Sequence, residues 1–267
     1  MSTSMEVWIE GIGFWAQGLP DWPSLRERIL GQPPRSDAPD KPAAEWLAPA
    51  ERRRAPALVR LAIEAATQAV RMSGRPADQL PSVFTSAHGD AIIMDYMCRT
   101  LAEAPRQLSP TRFHNSVHNA AAGYWTIAAR CMQASSAVCA GEQSFGAGLM
   151  EAATQAICDR QPLLLVASDA PASGPLAEVI RTRQPMGCAL VLSPEQNPRA
   201  VARLRLQLGK NAPLANLENP GLATLVEENA CGCALLLLAC LTGPMRSHCR
   251  IPCGTDLALE IETESYS

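Results

Sequence analysis

Residues 135–152 read Ser-Ser-Ala-Val-Cys-Ala-Gly-Glu-Gln-Ser-Phe-Gly-Ala-Gly-Leu-Met-Glu-Ala, and no other stretch restricts the fold as much. An apolar run over 134–140 predicts a buried strand, although periodicity alone does not separate such a run from a buried helix. Gly141 then marks a sharp turn into a helix over 144–158. Phe145, Ala147, Leu149, Met150, Ala152, Ala153, Ala156 and Ile157 put apolar or small side chains all round that helix. A helix of this kind is normally enclosed on most sides. A strand that turns abruptly into a buried helix also presents a reactive group well, because the first-turn amides lower the energy of negative charge beside them.

The flanking segments alternate strands with helices. Val7-Trp8-Ile9 reads as a strand that closes on a glycine turn at Gly11 and Gly13. A short helix over 22–30 stops at Gly31, and residues 32–50 form a loop rich in proline and charge. Leu58, Leu61, Ala62, Ala65, Ala69 and Met72 recur at helical spacing, which predicts a helix from Pro56 to Met72. A strand at 82–85, a helix at 91–103, an irregular stretch at 105–114 and a small-residue helix at 120–130 follow. Apolar runs at 162–168 and 187–192 suit a sheet covered on both faces. Further on come a candidate strand at 200–206, an apolar segment at 230–241 and a last strand near 257–261. The class is α/β.

Charge and cysteine usage exclude several functions. A net charge of −3 argues against a nucleic-acid binder, which would carry a basic stripe. Arg52, Arg53 and Arg54 form the dense basic cluster, either a docking patch for an acidic partner or a solvated loop before a helix. Glu6 and Glu10 sit where a signal peptide would be uncharged. The apolar run at 231–241 falls short of the roughly 20 residues of a membrane-spanning helix, so a cytoplasmic location is expected. The 10 cysteines do not form a disulfide framework without a secretion signal. Cys231, Cys233, His248, Cys249 and Cys253 lack zinc-ligand spacing, and buried thiols are the expectation there.

Gly11-Ile-Gly13-Phe-Trp-Ala16 matches a loose dinucleotide fingerprint. Gly18, Pro20 and Pro23 interrupt the helix that would hold the pyrophosphate, and Asp37 lies in the proline-rich loop. No cofactor is expected. His114 and His118 are read as polar residues ordering a loop near a site, or as satisfied histidines, because Asn115 and Asn119 are poor further metal ligands. Ser144 is out of step with a G-x-S-x-G elbow, and Cys139 falls inside the predicted strand, ahead of the turn.

Several of these segments resemble the β-ketoacyl synthases. Val7-Trp-Ile-Glu-Gly-Ile-Gly13 is similar to their opening strand, and 22–31 to their first helix with its closing glycine. Residues 110–123, with Asn119-Ala-Ala-Ala-Gly, resemble the segment before the nucleophile strand, and 187–192 the strand ending the N-terminal half. The likeness covers about 5–195 and is weak after about 200. It implies a thiolase-like layered fold with a complete N-terminal half over 1–195. An abbreviated C-terminal segment over 196–267 would pack on the same core.

Aligning the helix after the turn places Glu142 where the family has its nucleophilic cysteine. A carboxylate does not replace a thiolate in carrying a growing acyl chain. His248 has no context matching the family's two C-terminal histidines. Both departures resemble chain-length factors, many of which have glutamine at that position, and the short form is similar to small ketosynthase-like subunits of aryl polyene pigment pathways. The resemblance implies no independent activity and a heterodimer with a catalytic β-ketoacyl-ACP synthase, with an acyl carrier protein reached through the complex. Phe113, His114, His118, Asn119, Ala137, Cys139, Glu142, Gln143 and Phe145 would line the interface or tunnel. Glu142 would bond the helix amides. Two alternatives stand beside this reading: a divergent condensing or acyl-transfer enzyme using Cys139, and a stand-alone module that holds acyl chains.

Overall fold

A computed structural model describes residues 4–33, 37–211 and 213–266. The elements run β1 (Met5–Ala16), α1 (Trp22–Ile29), α2 (Pro49–Arg54), α3 (Ala57–Ser73), β2 (Ser82–Thr85), α4 (Ala91–Glu103), α5 (Pro110–His114), α6 (Ala120–Ala129) and β3 (Ser135–Val138). They continue through α7 (Ser144–Asp159), β4 (Leu163–Asp169), α8 (Leu176–Val179), β5 (Met186–Ser193), β6 (Ala202–Lys210), α9 (Pro220–Glu227), α10 (Ala234–Cys240), β7 (Arg246–Pro252) and β8 (Leu257–Ser265). Of the loop expected over 32–50, residues 34–36 lie outside the described residues, and Pro49 already begins α2.

All strands share one sheet in the order β3-β2-β4-β5-β1-β6-β8-β7. β2 pairs in parallel with β3 and β4, and the remaining pairs are antiparallel. The apolar strands β4 and β5 are buried along their whole length, as a doubly covered sheet requires. On one face Phe145, Leu149 and Ala152 of α7 and Leu235 and Leu238 of α10 pack against Leu163, Leu165 and Leu190. On the other face Ala62, Ile63 and Ala66 of α3 and Trp125 of α6 meet Phe84, Leu164 and Val191.

Cover is lost toward the C-terminal strands. β6 alternates buried Ala202, Leu204 and Leu206 with half-buried Arg203 and Arg205. Leu204, Leu206, Ile251, Leu259 and Ile261 join the core on the α7 side, while Arg203, Arg205, Glu260, Glu262 and Glu264 form ion pairs on the other. One end of the sheet is thus sandwiched between helices and the other is covered on one face. This is a layered α/β fold built on one mixed sheet. Among the described residues no helix is long and apolar enough to cross a membrane.

Three expectations change. Gly11 and Gly13 make no turn: β1 runs through both, bulged between Ile9 and Gly11. A Cβ on Gly11 would lie 2.0 Å from the Ala69 carbonyl oxygen, and one on Gly13 would lie 1.9 Å from that of Ala65. The glycines let α3 settle directly on the strand. β3 is not buried: it is an edge strand of four residues that alternates exposed and half-buried positions. The stretch over 105–114 contains the short helix α5, with the Ser109 hydroxyl accepting from the Arg112 amide at 3.4 Å. A further strand, β7, carries His248 and sets exposed Arg246 and His248 against buried Cys249 and Ile251.

Candidate functional site

Gly141 adopts φ +55°, a conformation that costs glycine little, and the chain makes one tight turn over Gly141–Gln143 before entering α7. Ser144 closes this turn. Its hydroxyl accepts from the Ala140 amide at 2.9 Å and donates to the Gly141 carbonyl at 2.7 Å. The Thr85 hydroxyl donates to the Ser144 carbonyl at 2.8 Å, tying β2 to the start of α7. Ser144 is fully buried, so it serves the turn's geometry. Gly146 and Gly148 let α7 slide between neighbours: a Cβ on the first would sit 2.0 Å from the Pro252 carbonyl oxygen, and on the second 2.8 Å from Thr85 Cγ2.

Glu142 occupies the middle of the turn with its carboxylate about one third exposed. Oε2 lies 3.6 Å from Arg181 Nη1 and Oε1 lies 3.9 Å from His88 Nε2. The expected bonds to the amides of α7 give way to these two side chains. Arg181 is itself fixed, since its guanidinium donates to the Val226 carbonyl at 3.1 Å and to that of Glu227. Glu142, Gln143, Arg181, Asn229, Cys233 and Pro252 border a cavity of about 110 Å³.

Behind the turn lies a buried polar network at the C-terminal ends of β2 and β4. Asp169 is 2% exposed. Its Oδ1 accepts from the Ser86 hydroxyl at 2.8 Å and the Ala87 amide at 2.9 Å, and its Oδ2 accepts from the Cys231 thiol at 2.7 Å. Burial raises the Asp169 carboxyl above its ordinary pKa, against the pull of these donors. The same burial, with the Asp169 charge beside it, raises the Cys231 thiol well above its own. Asn229 joins β4 to the segment before α10, donating to the Asp169 carbonyl at 3.3 Å and to that of Gln184 at 2.7 Å, and accepting from the Cys231 amide at 2.8 Å. His118 Nε2 lies 3.0 Å from the Ser86 carbonyl oxygen and holds the same loop from the outside.

The residues singled out in the sequence divide into groups. Glu142 and Gln143 border the small cavity, and His118 orders the loop beside it. Cys139 is exposed just before the turn, its thiol donating to the Ala87 carbonyl at 3.2 Å. Phe113, His114, Asn119 and Ala137 are exposed on α5, at the N-cap of α6 and on β3. Phe145 does not reach a surface: it is 1% exposed and belongs to the core. Arg52, Arg53 and Arg54 lie on α2, where Arg54 pairs with Glu51. Sequence reading missed Ser86, His88, Asp169, Arg181 and Asn229. Asp169 left a trace, an acidic residue ending a buried strand that opens with the apolar run Leu163–Ala167. Arg181 and His88 left none.

A mixed sheet with an enclosed helix behind a tight turn is an α/β arrangement that agrees with the resemblance read from the sequence. The model of the β-ketoacyl synthase N-terminal domain family matches residues 27–247, and the chain belongs to that family. The match begins later than the resemblance read from the sequence and continues past residue 200, where that resemblance was weak. No curated protein matches. Among solved structures, a chain of the Xenorhabdus doucetiae complex of the ketosynthase ApeO with its chain length factor ApeC is 24% identical, with a TM-score of 0.71 over 97% of this chain and 99% of that one. The ishigamide ketosynthase/chain length factor is 14% identical, with a TM-score of 0.70 over 98% and 100%. A β-ketoacyl synthase from Burkholderia phymatum STM815 is 11% identical, with a TM-score of 0.67 over 98% and 100%. At these identities the likeness carries the fold.

Proposed function

We propose that this chain is a chain-length-factor-like subunit without a condensing nucleophile of its own. It pairs in the cytoplasm with an active β-ketoacyl-ACP synthase in polyketide or fatty-acid-type biosynthesis of the aryl polyene kind. In this reading residues 1–195 form the ketosynthase-like domain and 196–267 an abbreviated segment on the same core. The reading rests on Glu142: a carboxylate paired with Arg181 stands in the turn between β3 and α7, where condensation chemistry needs a thiolate.

Two further observations support it. The cavity beside Glu142, at about 110 Å³, is well below the range of ligand pockets, so the acyl chain is assigned to the partner. The edge strand β3 has an unpaired side, and Phe113, Val117 and Met132 are exposed apolar side chains, features that a partner would cover. In the Xenorhabdus doucetiae structure a ketosynthase is paired with its chain length factor.

Co-expression with candidate ketosynthases tests the proposal. A stable one-to-one complex is expected, and Glu142→Gln in it should alter product length or complex stability without abolishing condensation. A chain that stays monomeric with every ketosynthase tried, or condensing activity from the chain alone, would overturn it.

A further inference from the structure

Several cysteines gather around α10. Cys233 stands at its N-cap and Cys240 is its last residue, while Cys188 of β5, Cys231 ahead of the helix and Cys249 of β7 belong to the same apolar core. Most of these thiols are sealed from solvent. Cys188 and Cys231 are fully buried, and the Cys231 hydrogen is committed to Asp169. Cys240 differs. It is half-buried at the rim of the core, and the buried Cys249 lies against it.

The two thiols are in contact. Cys249 donates a hydrogen bond to the Cys240 sulfur, which holds the Cys240 thiol below its ordinary pKa against the opposing effect of burial. The same bond, together with burial, raises the Cys249 thiol. The turn between α10 and β7 keeps the pair together. The Thr242 and Gly243 amides donate to the Ala239 carbonyl at 3.0 and 3.1 Å, and the Ser247 hydroxyl donates to the Pro244 carbonyl at 3.3 Å. An accessible thiol of lowered pKa with a second thiol against it is the arrangement on which oxidants act first.

We propose that Cys240 and Cys249 are an oxidative modification site, at which a small disulfide such as oxidised glutathione converts the two thiols to a disulfide between α10 and β7. The Cys240 thiolate attacks one sulfur of the small disulfide and releases the first glutathione thiolate. The Cys249 thiol then gives up its proton and attacks the Cys240 sulfur, releasing the second. Two protein thiols are oxidised to one disulfide, and one small disulfide is reduced to two thiols. The sulfurs already touch, so side-chain rotation carries them to the bond length of about 2.05 Å. Cys233 at the start of α10 and Pro252 at the end of β7 both border the Glu142 cavity, so the crosslink sets the spacing of two of its walls.

The test is to incubate the folded full chain with oxidised glutathione at about pH 8, block the remaining thiols with iodoacetamide and digest with trypsin. Non-reducing mass spectrometry is expected to find residues 211–246 joined to 247–250 with the loss of two hydrogens, and dithiothreitol should separate them. Residues 211–246 also carry Cys231 and Cys233, so Cys233→Ala should keep the link and Cys240→Ser should lose it. In Cys249→Ser the second step is blocked, and glutathione should remain on Cys240 at about ten times the wild-type level or more. Should Cys249→Ser not fold, the wild-type and Cys240→Ser chains still decide the matter. Cys240 and Cys249 left as free thiols after oxidation, a link that survives Cys240→Ser, or a link that forms only in denaturant would each overturn the proposal. None of these readouts depends on pairing with a ketosynthase.

Discussion

Arg75 grips Glu10 with two hydrogen bonds of 2.7 Å, one to each carboxylate oxygen, and so locks the bulge in β1 to the chain just after α3. Asn197 adds a third bond at 2.6 Å, and the Glu10 side chain is fully buried. Burial alone would raise the Glu10 carboxyl, but the bonds from Arg75 and Asn197 outweigh it and hold the group below its ordinary pKa. A depressed folded-state value stabilises the protein above the unfolded pKa, and that stabilisation is lost as pH falls through the folded one. Arg75→Met should cost about 3–5 kcal/mol at neutral pH, because it strands a buried charge. Glu10→Gln should cost less and should flatten the loss of stability on acidification. Denaturant melts at a series of pH values between about 3 and 7 would read both effects. Parallel pH profiles for wild type and Glu10→Gln would refute this account.

The glycines of β1 make a second, sharper contrast. Gly13→Ala would force a methyl group to within 1.9 Å of a backbone oxygen of α3. Neither partner is a flexible side chain, so the helix must lift from the sheet, at a cost of at least about 1–3 kcal/mol. Gly123→Ala on α6 meets nothing within 4 Å and replaces a poor helix former, so it should stabilise by up to about 1 kcal/mol. Thermal melts of the two variants should therefore move in opposite directions.

Thiol chemistry separates the proposed role from its catalytic rival. Cys98, Cys139 and Cys158 are exposed. Cys188 and Cys233 are buried, and burial pushes both thiols up to about 12. Iodoacetamide near pH 8 should therefore modify the first three in the folded chain and spare the buried pair until denaturant is added. Cys139 should react at a rate similar to Cys98 and Cys158. Mass spectrometry that finds Cys139 modified far faster than the other exposed thiols would favour an enzyme built on that residue.

What could be read from the sequence follows the range of the forces involved. Helix α3 was legible because its signal is local, apolar residues recurring at helical spacing, and α4 carries a local signal too, the Asp90 side chain capping its first turn. The position of Glu142 in a turn was legible for the same reason. Its partners were not, since Arg181 reaches it from the segment after α8 and His88 from the end of β2. Gly11 and Gly13 look the same in a turn and beneath a helix, and only the arrival of Ala65 and Ala69 distinguishes the cases. The apolar run of β3 gave no sign that it would pair on one side only.

The open face of the C-terminal strands is covered with paired charges. Arg203 pairs with Glu264 at 2.8 Å, Arg205 with Glu6 at 2.8 Å, and Arg250 with Glu260 at 2.5 Å, across neighbouring strands. Such exposed pairs contribute about 0–1 kcal/mol each, so Arg203→Ala should barely move stability. Their greater effect is to keep water on a sheet face that carries no covering helix among the described residues. Replacing Arg203, Arg205 and Glu262 together with valine should leave the fold intact, because valine suits a strand, while creating a continuous apolar patch. Light scattering should then show self-association that rises with concentration. If the triple variant stayed as monodisperse as the wild type, the face would have to be shielded already, and the ladder of charges would need another explanation.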